Sequence, residues 1–229
     1  MVMMNKKIIF EDLGISEYKK TWEYQEMLME RVINQKIASK TNPEQESDNY
    51  LLFVEHPHVY TLGKSGDEQN LLLNYIQLQA KDATFFHTDR GGDITYHGPG
   101  QLVGYPIFDL DNFGIGLRKY IFLLEEAIIK AIAEYGLAGE RDEKATGVWL
   151  DVGTPYARKI CAIGVKSSRF VTMHGFALNV NTDLSYFQYI NPCGFTDRGV
   201  TSLEKELGAS QDFYQLKKFV YNKITEVFQ

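Results

Sequence analysis

Hydrophobic spacing divides the chain into helices near its two ends and a run of strands between them, with one further helix in the middle. From Ser16 to about Lys40, residues Tyr18, Trp22, Met29, Val32, Ile33 and Ile37 recur near a helical stripe. That stripe predicts a long amphipathic helix opening the fold, with Ser16 as its N-cap. The polar, proline-broken stretch 41–49 ends it, and Tyr50 to Glu55 reads as a short buried strand. His56-Pro57-His58 and Val59 to Lys64 follow as a rim loop at the strand end. A short helix is predicted over 70–81 and a strand over Thr84 to Thr88, delivering the chain into the glycine-rich stretch Arg90 to Pro106. Gln101 to Asp109 leaves that stretch as another strand, with Pro106 expected at an edge or a bulge because it cannot donate to a ladder. Gly116 to Tyr135 carries apolar residues at three and four spacings, and Gly136 stops it. Period two then takes over: Lys159 to Lys166 and Val171 to Val180 predict paired strands joined by 167–170. Asn191 to Gly194 reads as a turn, and Gln211 to Phe228 closes the chain as a helix.

Composition narrows the class. No composition break or repeat divides the 229 residues, which predicts one domain over 1–229, an α/β (α+β) fold with a central mixed or antiparallel sheet flanked by helices. No apolar run approaches the roughly 20 residues of a membrane helix, and the N-terminus lacks a signal-peptide core, so a cytoplasmic location is expected. A net charge of -6 argues against a general nucleic-acid binder, which would neutralise phosphates with a basic surface. Cys161 and Cys193 are the only cysteines, and free thiols rather than a disulfide are expected. None of the histidines shows zinc-like spacing with either cysteine, so no metal is expected.

The residues that could do chemistry separate by local setting. Four glycines, a proline, an arginine, a histidine and a glutamine crowd between Arg90 and Gln101, flanked by strands rather than opening a helix. With no Gly-x-Gly-x-x-Gly or Gly-Lys-Ser/Thr signature, the stretch does not call for nucleotide phosphates. Alternation places Lys159, Cys161, Ile163 and Val165 on one strand face, which makes Cys161 a buried small hydrophobe. Cys193, between Pro192 and Gly194 in a turn, is the better nucleophile, and it needs a base or a cation nearby to form thiolate. Lys159, partly desolvated, is a candidate for that partner. His97 and His174 are further candidates, and spacing does not choose between catalysis and a satisfied core position for either.

Five segments taken together carry a resemblance: Arg90-Gly91-Gly92 with Thr95, His97-Gly-Pro-Gly-Gln101 and Tyr105-Pro106; Gly147-Val-Trp149; Lys159-Ile-Cys-Ala-Ile-Gly164; His174-Gly-Phe-Ala-Leu-Asn-Val180; and Asn191-Pro-Cys-Gly194. From about Leu51 to Leu203 the chain resembles the octanoyltransferase (lipoate-protein ligase B) family. The resemblance implies a fold like the catalytic domains of biotin and lipoate ligases. It implies transfer of an octanoyl group from acyl carrier protein to a lysine of lipoyl domains, on the E2 subunits of 2-oxoacid dehydrogenases and on the glycine cleavage H protein. By position, Cys193 would bear the acyl thioester and Lys159 would tune it and handle protons. Arg90, Gly91, Gly92, Asp93, Ile94, Thr95, Tyr96 and His97, then Ala162, Ile163 and Gly164, then Gly175, Phe176 and Ala177, match segments that line the acyl substrate, with His174 a possible support. The pattern departs at Ala162, where relatives carry serine.

A thioester donor is already activated, so neither ATP nor another cofactor is expected. The alternatives weighed are an ATP-dependent lipoate or biotin ligase on the same fold and a non-catalytic module that binds lipoyl carriers. Arg158, Lys159, Lys166 and Arg169, with no acid between Ala157 and Phe170, predict a basic docking surface for acidic protein partners.

Overall fold

A computed structural model describes residues 5–42, 44–191 and 199–229. The chain opens with a strand, β1 (Ile8–Ile15), before the predicted helix α1 (Tyr18–Ala38). The sequence reading missed β1 because its burial alternates only weakly, and its parallel pairing to β2 (Asn49–Glu55) supplies what the local pattern does not. Glu17, not Ser16, precedes the first turn of α1, and the Ser16 hydroxyl instead accepts from Thr21 Oγ1 at 3.0 Å.

After β2 come β3 (Val59–Leu62), α2 (Tyr75–Gln79), β4 (Thr84–His87), β5 (Ile94–His97) and β6 (Gln101–Ile107). Then follow α3 (Leu110–Phe113), α4 (Leu117–Ala133), β7 (Glu140–Asp142), β8 (Ala145–Leu150), β9 (Arg158–Ser168) and β10 (Val171–Asn179). The chain closes with β11 (Gly199–Val200), α5 (Leu203–Leu207) and α6 (Phe213–Val227). Among the described residues the strands form a mixed sheet, ordered β1-β2-β6-β10-β9-β8-β7 with β11 against β9, and a small sheet β4-β3-β5. Residues 59–64, expected as a rim loop at the end of β2, instead begin with β3, which belongs to the second sheet together with β5 inside the glycine-rich stretch.

Two apolar layers cover the large sheet. On one face α4 and α6 bury Leu124, Ala127, Ile128 and Ile132 with Leu216, Val220 and Ile224 against Phe53, Phe176 and Leu178. Each such Leu or Ile contributes roughly 1.5–3 kcal/mol over leaving it in water. On the other face Leu28, Met29 and Val32 of α1 meet Leu52, Val103, Tyr105 and Ala177. The small sheet has its own aromatic cluster around Tyr60, Tyr96 and Ile190.

Pro106 lies in an interior strand rather than at an edge, and its neighbours show how that is tolerated. The β6–β10 ladder runs only from Gln101–Asn179 to Gly104–Phe176. Beyond it His174 takes a positive φ of 59° and gives its backbone N–H to Gln25 Oε1 at 3.0 Å, while Thr172 Oγ1 donates to Pro106 O at 2.9 Å. The missing proline N–H thus falls where the ladder has already lapsed. The β9–β10 hairpin turns through Arg169 and Phe170, both at positive φ.

Candidate functional site

A cavity of about 900 Å³ lies between the large sheet and the small one. Its floor is a run of small residues across β9 and β10, where Ala162 pairs with Ala177 and Gly164 with Gly175. A bulge decides which β9 side chains reach it. Val148 and Trp149, adjacent on β8, pair with Cys161 and Lys159, two apart on β9. Ile160 and Cys161 consequently both enter the core beneath the sheet, while Lys159 lines the cavity. Simple alternation had placed Lys159 and Cys161 on one face; the extra residue separates them. Lys159 Nζ donates to Thr146 O at 3.2 Å and stands 4.6 Å from the centre of the Trp149 ring. Cys161 is fully buried, and burial pushes its thiol well above the usual range, as expected for an inert small hydrophobe.

The roof is the loop 90–93, and Arg90 pins it. Its guanidinium donates to Thr61 O at 2.7 Å, Thr61 Oγ1 at 2.9 Å, Asp93 O at 2.8 Å and Gly91 O at 3.0 Å. Gly91 N–H reaches Val165 O of β9 at 2.9 Å, and a Cβ on Gly164 would stand only 2.8 Å from Gly91 O. Roof and floor therefore touch at these two glycines. Gly175 also lines the cavity, yet the approach that its missing side chain permits is that of Gly104 O on β6, 2.2 Å from where a Cβ would lie.

A directed chain of hydrogen bonds runs inward from Arg90. Thr61 Oγ1 accepts from Arg90, so its proton is turned toward His97 Nε2 at 3.4 Å. His97 Nδ1 donates to Gln101 Oε1 at 2.9 Å, Gln101 Nε2 donates to Asn179 Oδ1 at 2.9 Å, and Asn179 Nδ2 donates to Thr201 O at 2.9 Å. Thr201 N–H in turn meets Lys159 O at 3.0 Å. Burial drives the His97 pKa down to about 3, so the ring is a neutral connector. His56, between Ser16 O at 2.7 Å and the Tyr105 hydroxyl at 2.8 Å, is likewise lowered by burial to about 4.

His174 sits at the opposite end of the floor from Lys159. Its Nε2 donates to Asp89 Oδ1 at 2.8 Å, and Lys166 pairs with the other carboxylate oxygen. These two hydrogen bonds, with His174 the larger influence, hold Asp89 well below the usual carboxylate range, while burial lowers His174. Ionised Asp89 and neutral His174 are the consistent pair, with Lys166 supplying the cation.

Most residues expected at the site meet around this one cavity: Lys159, Ala162, Ile163, Gly164, His174, Gly175, Phe176, Ala177, and Arg90 through Thr95 with His97. Tyr96 turns away into the small sheet, donating to His58 Nδ1 at 2.6 Å. Cys193, with the turn expected around it, lies outside the described residues. The expected basic surface is largely neutralised by acids from elsewhere in the chain: Arg158 pairs with Asp151 and Glu206, and Lys166 with Asp89. Tyr18, Thr61, Asp89 and Asn179 belong to the cavity or its supports and were not singled out by sequence. Asn179 had a signal, a polar residue closing an apolar strand at Leu178-Asn179-Val180; Thr61 had none.

The catalytic domain of lipoyl protein ligases A and B matches residues 17–225, and the chain belongs to that family. An octanoyltransferase of Flavobacterium johnsoniae is 59% identical over 228 residues, covering 99% of this chain and 98% of its own. Solved structures share the fold at low identity. An archaeal bipartite lipoate protein ligase from Thermoplasma acidophilum has a TM-score of 0.65 at 14% identity, over 96% of this chain and 84% of its own. A biotin protein ligase from Aquifex aeolicus has a TM-score of 0.53 at 15% identity, over 98% of this chain and 71% of its own. Within the family the chain is an acyltransferase of the octanoyltransferase group, an enzyme of protein lipoylation.

Proposed function

We propose that the chain moves an octanoyl group from acyl carrier protein onto a lysine of lipoyl domains, those of 2-oxoacid dehydrogenase E2 subunits and the glycine cleavage H protein, through a thioester on Cys193. The observation that carries this reading is the cavity itself, a small-residue floor with a lysine at one end.

In the first step the Cys193 thiolate attacks the donor thioester carbonyl. A new C–S bond forms, the donor C–S bond breaks, and the carrier thiol leaves with a proton from Lys159. In the second step Lys159, now neutral, takes a proton from the acceptor ammonium; the amine attacks the acyl-enzyme, the adduct loses its second N–H proton to solvent, an amide forms and the Cys193 thiolate departs. Octanoyl would lie along Ala162, Ala177 and Gly164 beneath the roof loop, with Thr95 and Ile163 beside it. His97 acts as a fixed connector in this scheme. The donor is already activated, so no ATP or metal enters either step.

Mixing the protein with octanoyl-acyl carrier protein and measuring intact mass tests the reading. One octanoyl increment that maps to Cys193 and passes to added lipoyl domain is expected. Transfer that persists in Cys193→Ala and depends on ATP would overturn it in favour of a ligase.

A further inference from the structure

The cavity has an exposed end and a closed one. Lys144, Thr146 and Lys205 line it and are exposed, whereas toward the other end its lining reaches Val165, His174 and Gly175 and goes no further along β9 and β10. Between Lys159 and Val165 lie six strand steps, one of them taken up by the bulge, so the trough is on the order of 15 to 20 Å long.

Something holds the closed end shut. Gly91 rests on Gly164 and bonds Val165 O, but two glycines and one hydrogen bond make a soft wall. Behind them stands Asp89, next to Arg90 in the chain, whose carboxylate ties the start of the roof loop to Lys166 on β9 and to His174 on β10. His174 is itself fixed in a strained backbone conformation and held through its N–H by Gln25 of α1. One carboxylate therefore clamps the loop to both floor strands at the place where the cavity stops.

We infer that the Asp89–His174–Lys166 clamp is the chain-length stop of the acyl cavity: it fixes the Gly91–Gly164 wall and so sets the longest acyl chain that fits. Asp89 is a positioning residue here, acting through the loop rather than on substrate. The inference rests on the acyl-transfer reading for its meaning, but its test does not require transfer.

Binding of free fatty acids from eight to sixteen carbons, measured by calorimetry, reads the wall directly. Each methylene that finds apolar burial tightens binding about four-fold, so affinity should climb with length and level off where the wall is met. In Asp89→Ala the plateau is expected to move two carbons or more toward longer chains, tightening the next even-numbered acid about ten-fold. Octanoate affinity should change much less. Lys166→Ala, which leaves His174 on Asp89, should move the plateau in the same direction by less, and it decides the matter if Asp89→Ala does not fold. A plateau at the same length in folded variants overturns the clamp, whatever the transfer assay shows. Failure of octanoyl transfer with a shifted plateau would instead fault the proposed function.

Discussion

Along the floor of the cavity, β9 and β10 are joined by a continuous antiparallel ladder from Cys161–Leu178 to Ser168–Val171, whereas the roof above them combines scattered backbone bonds to Gly63, Lys64, Ser65 and Val165 with the side-chain bonds of Arg90, Thr61 and Asp89. The floor is backbone structure, and at Gly164 and Gly175 it has no room even for a Cβ, which would meet Gly91 O or Gly104 O. The roof is a polar assembly in which each member satisfies a neighbour, so losing one strands another. Chemistry and shape are thus assigned to different parts of the molecule: the proposed proton carrier stands on β9, paired to Trp149 and Val200, and the enclosure depends on the network.

The sharpest way to test that division is at its two extremes. Lys159→Met should lower acyl transfer by about 10²- to 10⁴-fold, the range of a lost general base, with little change in melting temperature. Unaltered transfer would remove the lysine from the mechanism. Arg90→Met should do the reverse in kind. It removes the guanidinium donor from the carbonyls of Thr61 and Asp93, the latter keeping the Gly63 N–H, and should cost on the order of 2–4 kcal/mol, read as a lower denaturant midpoint, with activity falling as the roof loosens. A variant as stable as the parent would mean that the loop is held by something else.

Acid should attack the roof and its surroundings before the floor. His97 and His56 have folded pKa values near 3 and 4 against an ordinary 6.5, so between those limits the unfolded chain binds protons that the folded chain refuses. Their contribution is complete above about pH 6.5 and shrinks as pH falls, by about 2 kcal/mol each near pH 5. Asp89 extends the loss below about pH 4, where the unfolded chain protonates it first. Melting temperature followed from pH 7 to 4.5 should fall, and His97→Gln should flatten the slope. The smallest effect is expected beneath the floor: Cys161→Ala should cost about 1 kcal/mol and leave transfer within two-fold, because that thiol faces only core. A large loss of transfer would reopen the choice of nucleophile.

The same contrast explains what could be read from residues alone. Helices α1, α4 and α6 announce themselves by a period of one buried face, and strands β2, β6, β9 and β10 by runs rich in apolar residues, of which β2, β6 and β10 are buried on both faces. Strand β4 is also expected, over Thr84 to Thr88, but β1, β3, β5 and β7 do not stand out: they are short or weakly alternating. Lys159 and the lining segments stood out through their resemblance, but Thr61 and Asp89 are ordinary residues in ordinary surroundings until Arg90, His174 and Lys166 are folded against them. Two of the four cations counted toward the basic surface, Arg158 and Lys166, are paired for the same reason, since Glu206, Asp151 and Asp89 approach from outside the segment in which the cations were counted.

The bulge in β9 has a consequence for insertions and deletions. With Ile160 as the supernumerary residue, Lys159 and Cys161 look to opposite sides of the sheet although they are two apart. Removing that one residue would make Lys159 and Cys161 neighbours in a regular strand, where adjacent side chains point to opposite faces, so the lysine would still face the cavity and the cysteine the core. What would turn the amine away is the opposite change, straightening the bulge with every residue kept, because plain alternation then puts Lys159 on the same side of the sheet as Cys161.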